Sequence, residues 1–291
     1  KRWDYGIGVF HYKSYYFSRT TSLGESFNEA RRFSDRNIGF AGLLSYPLDR
    51  FRRIDLNLTN IVVDRSFYDE DSFGSLFRTR SELRVVTAPS AAYVNDTVLY
   101  GYYGPVSGSR YYVYATNAVP LFPKGLTYTT VALDWRKYWQ IVPEYQFAMR
   151  VEGLRSMGED KQVFEMGGYS SIRGFRDFSR LGSSVAFTNL EFRFPFITAL
   201  GVVGPLPLGF FNLRGAAFAD VGAVWNEDDR LRLSNRDPVT GTRRAQDLML
   251  AAGVGARSNL GFLLLKLDVA WPYDLDQWGR PRYHFSLSPQ F

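Results

Sequence analysis

Nine residues, GGYSSIRGF (Gly167 to Phe175), frame one arginine between an isoleucine and a phenylalanine and set three glycines around it. A glycine-rich loop can wrap a phosphate with its backbone N–H groups. That chemistry needs a strand before the loop and a helix N-terminus after it. Phe175 is succeeded by RDFSRLGSSVAFTNLEFRFPF, a loop that runs into an alternating strand pattern, so the flanks do not support phosphate binding. Taken alone, the stretch reads as a turn with a solvated arginine. Nucleophilic chemistry is equally thin. The chain has two histidines, His11 and His284. His284 lies close in sequence to Ser286 and Ser288, but side chains two apart on a strand line up and do not converge into a base–nucleophile pair. No catalytic residue is assigned. Cysteine is absent, which removes disulfides and thiolate metal sites. The acid run YDEDSF (Tyr68 to Phe73) reads as a solvated loop that at most touches a divalent cation bridging lipopolysaccharide. The sequence supports no metal site and no cofactor.

The elements that must position these residues have a period of two. In RIDLNLT, Ile54, Leu56 and Leu58 point one way while Arg53, Asp55, Asn57 and Thr59 point the other. Val131, Leu133 and Trp135 oppose Ala132, Asp134 and Arg136. Leu190, Phe192 and Phe194 oppose Asn189, Glu191 and Arg193. Tyr145, Phe147, Met149 and Val151 oppose Gln146, Arg150 and Glu152. The closing stretch sets Tyr283, Phe285, Leu287 and Phe291 against Arg282, His284, Ser286 and Gln290. About twelve such segments are legible: 4–17, 37–47, 51–66, 80–100, 109–118, 125–136, 143–155, 184–195, 207–224, 248–258, 261–272 and 282–291. Several exceed the usual strand of about 5–6 residues. No amphipathic helix of useful length appears. The most apolar run, Ile197 to Phe211, is too short for a membrane helix and is interrupted by Pro205 and Pro207.

Alternating strands suit a soluble barrel with an apolar interior or a transmembrane barrel with an apolar exterior. Three features favour the membrane. The polar face carries full charges of both signs, as in Arg53/Asp55, Asp134/Arg136, Glu191/Arg193 and Lys266/Asp268. Trp135, Trp139, Trp225, Trp271 and Trp278 fall near strand ends, where an interfacial girdle lies. Connections alternate between tight turns (YPLDRF, RKYWQIVP) and long polar loops at 18–36, 67–79, 156–182 and 226–247, the asymmetry of outer-membrane barrels. The expected fold is therefore all-β, a transmembrane antiparallel β-barrel forming one domain over 1–291. An even strand count puts both chain ends on the periplasmic side of a Gram-negative outer membrane. The net charge of +6 is spread in mixed-sign pairs, which gives no support to nucleic acid as a partner. The chain opens directly in a strand pattern, without an initiator Met or a leader, and so reads as a mature or truncated piece.

Several landmarks in order resemble the C-terminal barrel of the BamA-type insertase and translocator superfamily, also called the bacterial surface antigen family. Ile172-Arg173-Gly174-Phe175, preceded by Gly167-Gly168, is similar to that family's (I/V)RG(F/Y) motif on its sixth external loop. Glu191 to Pro195 resembles its next strand. Phe218, Asp220, Gly222 and Trp225 match its FxDxGxxW pattern, and GVGAR (Gly253 to Arg257) and LDVAWP (Leu267 to Pro272) look like its penultimate strands. GPVSGSR (Gly104 to Arg110) and LSYPLDRF (Leu44 to Phe51) resemble periplasmic turns of the family.

The resemblance implies a sixteen-stranded barrel, of which four N-terminal strands and any periplasmic domains precede this chain. A twelve-stranded relative is the alternative. It implies that the loop folds into the lumen and that Arg173 reaches an acid on the wall, Asp220 first and Glu191 second. There the guanidinium fork suits a carboxylate, Gly174 lets the backbone pass and Phe175 packs on the wall. The ending is similar to the family's β-signal, carried here by Tyr283, Phe285, Leu287 and Phe291. Pro289 departs from the usual aromatic and lacks a ladder N–H. The implied activity is insertion or translocation of unfolded outer-membrane or secreted clients. Lipid and lipopolysaccharide, and accessory periplasmic lipoproteins or a larger complex, would be partners. A passive channel is the alternative, and an outer-membrane phospholipase using His284 and Ser286 a more distant one.

Overall fold

The structure, a computed structural model, describes residues 3–20, 26–70, 76–101, 104–201, 209–226, 230–236, 241–259 and 263–289. In chain order its strands are β1 (Asp4–Thr20), β2 (Ser26–Pro47), β3 (Arg52–Glu70), β4 (Leu76–Asp96), β5 (Leu99–Gly101), β6 (Gly104–Ala118), β7 (Tyr128–Val142), β8 (Tyr145–Met157), β9 (Phe164–Met166), β10 (Arg180–Gly182), β11 (Ser184–Gly201), β12 (Gly209–Trp225), β13 (Ser234–Arg236), β14 (Arg243–Ala245), β15 (Leu248–Asn259), β16 (Leu263–Tyr273) and β17 (Arg282–Pro289). Twelve long strands succeed one another in a single sheet, each beside its successor in the chain: β1-β2-β3-β4-β6-β7-β8-β11-β12-β15-β16-β17. Among the described residues no helix forms. Such a sheet needs only local hairpins, so each connection joins neighbours.

The strands differ from the sequence reading in instructive ways. β2, β3 and β4 run well into the stretches 18–36 and 67–79 that composition assigns to loops, because polar residues extend a strand as readily as apolar ones when both neighbours supply a ladder. RKYWQIVP is mostly strand, and the turn is confined to Pro143–Glu144. GPVSGSR is not a turn. It opens β6 and pairs with β5, so the expected strand 80–100 is broken after Asp96. The reason is Gly108, at φ +96, where a Cβ would run into the Thr97 carbonyl. The tight contact is sealed by Thr97 N–H donating to Ser109 O at 2.9 Å and by Ser109 N–H donating to Thr97 Oγ1 at 3.1 Å. The loops 156–182 and 226–247 each carry a small ladder, β9 with β10 and β13 with β14. LSYPLDRF does turn at Leu48–Phe51. There Asp49 Oδ1 accepts from the N–H groups of Phe51 and Arg52, both at 2.8 Å. The Phe51 N–H first, and then the Arg52 side chain, hold the Asp49 carboxyl below its ordinary range.

The two faces of the sheet have the polarity of an inside-out protein. Ile54, Leu56 and Leu58 are 38%, 44% and 43% exposed, whereas Asp35, Arg65, Gln146, Asp220, Arg257 and Asp268 are buried. A sheet folded in water buries the first set and leaves the second wet. Exposed apolar faces opposite buried, paired charges fit a sheet whose outer solvent is hydrocarbon. Exposure peaks on the two strands at the ends of the sheet order, at 85% for Ile7 of β1 and 79% for Tyr283 of β17, since each has a single neighbouring strand in that order.

Two compact units emerge. The first comprises Lys1–Asn95, Tyr112–Ala132 and Leu154–Phe164. It contains a small apolar cluster of Ala88, Ala118, Leu126 and Tyr128. Its buried ion pair joins Arg65 to both Asp35 carboxylate oxygens at 2.7 Å, with the guanidinium 4.5 Å above the Phe33 ring. The second unit, Asp96–Tyr111, Leu133–Gly153 and Glu165–Phe291, holds the glycine-framed loop.

Candidate functional site

The loop rises from the β9–β10 ladder and folds onto the polar face of strands β11 to β17. Its opening bend uses Gly167 (φ +119) and Gly168 (φ +86), where a Cβ would meet the Arg176 carbonyl and the Asp177 carboxylate. Gly167 N–H donates to Ser171 Oγ at 2.8 Å, which closes the bend. The chain then delivers Ile172, fully buried, and Arg173, 6% exposed.

Arg173 sits on three carboxylates. Its Nε donates to Asp220 Oδ2 and its Nη2 to Asp220 Oδ1, both at 2.8 Å, and its backbone N–H also reaches Oδ2 at 3.1 Å. Nη1 donates to Glu191 Oε2 at 2.9 Å and to Asp268 Oδ2 at 3.4 Å. Two further arginines complete the cluster. Arg257 bonds both oxygens of Asp268 at 2.5 and 3.1 Å and Glu191 Oε2 at 3.2 Å, and Arg193 Nε donates to Glu191 Oε1 at 2.7 Å. Three cations meet three carboxylates, so the cluster is neutral as a whole. That balance is what makes burial of its members tolerable. Burial by itself opposes the charge of Arg173, but Asp220, then Glu191 and Asp268, hold its guanidinium above the ordinary range.

The spacing Phe218–Asp220–Gly222 has a direct geometric reading. The three share one face of β12, and each meets a different part of the loop. The Phe218 ring lies under the Arg173 guanidinium, 3.4 Å from centroid to Cζ, in a cation–π contact. Asp220 takes the fork. At Gly222 a Cβ would lie 3.1 Å from Ile172 Cδ1 and 2.7 Å from Phe187 Cβ, so the missing side chain makes room for Ile172. Opposite Asp220 stand Asn189 on β11 and Ala251 on β15. Ala251 is small enough for Gly174 (φ +85) to pass, where an added Cβ would lie 3.2 Å from the Ala251 Cβ.

Further tethers spread the loop over the sheet. Asn189 Nδ2 donates to Ser171 O at 2.7 Å and to Asp220 Oδ1 at 2.9 Å. Arg150 Nη1 donates to Ser170 O at 3.1 Å, Lys266 Nζ lies 5.8 Å over the Tyr169 ring, and Gly174 N–H donates to His284 Nε2 at 3.0 Å. Phe175 lines a cavity of about 320 Å³ with Leu248, Pro272, Tyr273 and Trp278. Asn189 joins the loop backbone to the buried acid, so Asn189→Ala is expected to destabilise the protein by about 1–3 kcal/mol. Unfolding in detergent followed by tryptophan fluorescence measures it, and an unchanged midpoint would show that neither bond contributes.

The sequence names Arg173, Asp220 and Glu191, and the structure brings these three together. It adds Asp268, Arg257, Asn189 and His284, none of which the motif suggests. All lie on the polar parity of their strands, the same alternation that placed Glu191 and Arg193, so the signal was present without a way to choose among many polar positions. Tyr283, Phe285 and Leu287 lie on the exposed face of β17. Phe291 is outside the described residues, as are Asp71 to Phe73 of the acid run. Pro289 ends β17 opposite Leu263. His284 faces the loop, with its Nε2 engaged by Gly174.

The Omp85 superfamily domain matches residues 3–291. No curated protein matches the chain significantly. Among solved structures, the crystal structure of BamA from Haemophilus ducreyi lacking POTRA domains 1-3 aligns with a TM-score of 0.68 at 15% identity, covering 98% of this chain and 59% of that one. CdiB from Escherichia coli aligns with a TM-score of 0.51 at 16% identity, covering 98% of this chain and 49% of that one. This chain thus spans about half to three-fifths of their lengths, and at these identities the likeness is one of fold.

Proposed function

The chain belongs to the Omp85 superfamily, and from that premise we propose that it is the membrane-embedded part of an outer-membrane machine that inserts or translocates unfolded polypeptides. The observation that carries this reading is the docked loop. Its arginine is committed to strands β11, β12 and β16 at once, so the loop braces the polar face of the sheet. A brace of this kind leaves the last strand, β17, to form one side of a lateral seam where a client adds a strand by backbone pairing. Tyr283, Phe285, Leu287 and Phe291 form the signal that directs this chain's own insertion. Unfolded outer-membrane or secreted chains are the clients, lipid and lipopolysaccharide surround the apolar face, and periplasmic lipoproteins are accessory partners. The chain ends lie on the periplasmic side.

A passive channel is the competing reading. It needs an open polar face, whereas the loop covers part of that face with Ile172 and Arg173. Reconstitution in proteoliposomes separates the two. The insertase reading expects assembly of an added unfolded outer-membrane protein to become protease-resistant faster with wild type, and expects Arg173→Ala to lose most of that acceleration. Large conductance unchanged by Arg173→Ala, with no acceleration of assembly, would support the channel instead.

A further inference from the structure

We propose that His284 is a positioning residue that ties the glycine-framed loop to the last strand, β17, and releases it on protonation. The bond from Gly174 N–H to Nε2, 3.0 Å, requires an unprotonated Nε2 and therefore a neutral ring carrying its proton on Nδ1. Protonation turns Nε2 from an acceptor into a donor that faces another donor. It also places a cation beside Arg173, one residue from the contact.

The surroundings single this contact out. The remaining loop tethers are made by arginine, lysine, asparagine and carboxylates, groups that keep their charge state between about pH 5 and 8. The chain's other histidine, His11, belongs to the first unit, where it accepts from Arg36. The charged groups facing the His284 ring are Asp268, its cross-strand partner on β16, Asp177 and Arg173 from the loop, and Arg282 on its own strand. Asp268 is already hydrogen-bonded to Arg257 and Arg173. Among the described residues β17 adjoins β16 alone in the sheet order, so its bond to the loop is an attachment beyond that ladder. Acidification therefore loosens the last strand from the loop while the arginine cluster keeps the loop on β11 and β12. That this strand borders a client seam rests on the function proposed above; the histidine contact does not.

The absence of cysteine allows a clean probe. Arg176 is exposed two residues beyond Gly174, and Arg176→Cys carrying a nitroxide reports loop mobility in detergent or lipid. The mobile fraction is expected to rise at least twofold between pH 7.5 and 5. His284→Gln, which keeps an acceptor oxygen but does not titrate, is expected to hold the pH 7.5 spectrum throughout. His284→Ala is expected to show the mobile spectrum at every pH. A wild-type spectrum flat across this range, the same pH response in His284→Gln, or a His284→Ala spectrum matching wild type at pH 7.5 would each overturn the proposal. No client is present in the measurement. A pH-sensitive label with pH-insensitive client assembly would therefore count against the seam and leave the histidine contact standing.

Discussion

Arg173→Ala is expected to lower the unfolding free energy by about 3–5 kcal/mol, the usual consequence of removing one partner from a buried ion pair. The loss falls on one acid. Glu191 keeps Arg193 and Arg257, and Asp268 keeps Arg257, so each remains charge-paired. Asp220, whose side chain is fully buried, is left with Asn189. The cluster then holds two cations against three carboxylates, two of them, Asp220 and Asp268, with fully buried side chains. Arg173→Lys is expected to recover only part of the loss, because a single ammonium cannot span both Asp220 oxygens while also meeting Glu191 and Asp268. Two readouts check this: thermal unfolding in detergent, and trypsin cleavage after Arg176, which should speed up in the variant at temperatures where the sheet remains folded. A variant as stable and as resistant as wild type would mean that the loop is held by something other than its arginine.

Gly222→Val is the second large effect. The new side chain would begin 2.7 Å from Phe187 Cβ and 3.1 Å from Ile172 Cδ1, and Ala186 O at 3.0 Å blocks retreat toward β11. Backbone and ladder fix two of these neighbours, so the loop must give. Overpacking of this kind costs about 1–3 kcal/mol, and displacing Ile172 pulls the adjacent Arg173 off Asp220 as well. The variant should therefore resemble Arg173→Ala in protease sensitivity although it removes no charge. Gly8→Ala, where an added Cβ meets nothing within 4 Å, is the matched control and should change little. If the two glycine variants behaved alike, the packing of Ile172 on β12 would not be holding the loop.

The sheet was legible in the sequence because its two solvents differ along every strand. Ile54, Leu56 and Leu58 against Arg53, Asp55 and Asn57 give face and period together, and the charged face indicates which side is not lipid. Strand ends were less legible. The outer parts of β2 and β3 are richer in polar residues in the sequence, so alternation fades although pairing continues. GPVSGSR was misplaced because its glycines look like a turn. Gly108 serves instead to let β6 approach Thr97 closely. The site was legible in part for a different reason. Arg173 and Asp220 lie 47 residues apart, and no local pattern joins them; the family resemblance put them side by side. It did not indicate Arg257 and Asp268. Their part depends on β15 standing next to β12 and β16 beyond it, in a register that sets Asp268 opposite Gly255 and His284. Nor could the sequence show that Gly174 N–H would find an imidazole, since that depends on where one backbone amide points.

The measurement that bears most directly on the account is a double-mutant cycle between Arg173 and Asp220, read as unfolding free energy in detergent. If the fork of Arg173 on Asp220 is what locks the loop, each alanine variant is strongly destabilised and the double variant is scarcely worse than either. The coupling energy then approaches the cost of either single variant, about 3 kcal/mol or more, at or above the top of the range of about 0.5–3 kcal/mol seen for interacting side chains. Additive losses, with a coupling indistinguishable from zero, would contradict the account, because the two residues would then act independently and the loop would not be held by its arginine on β12.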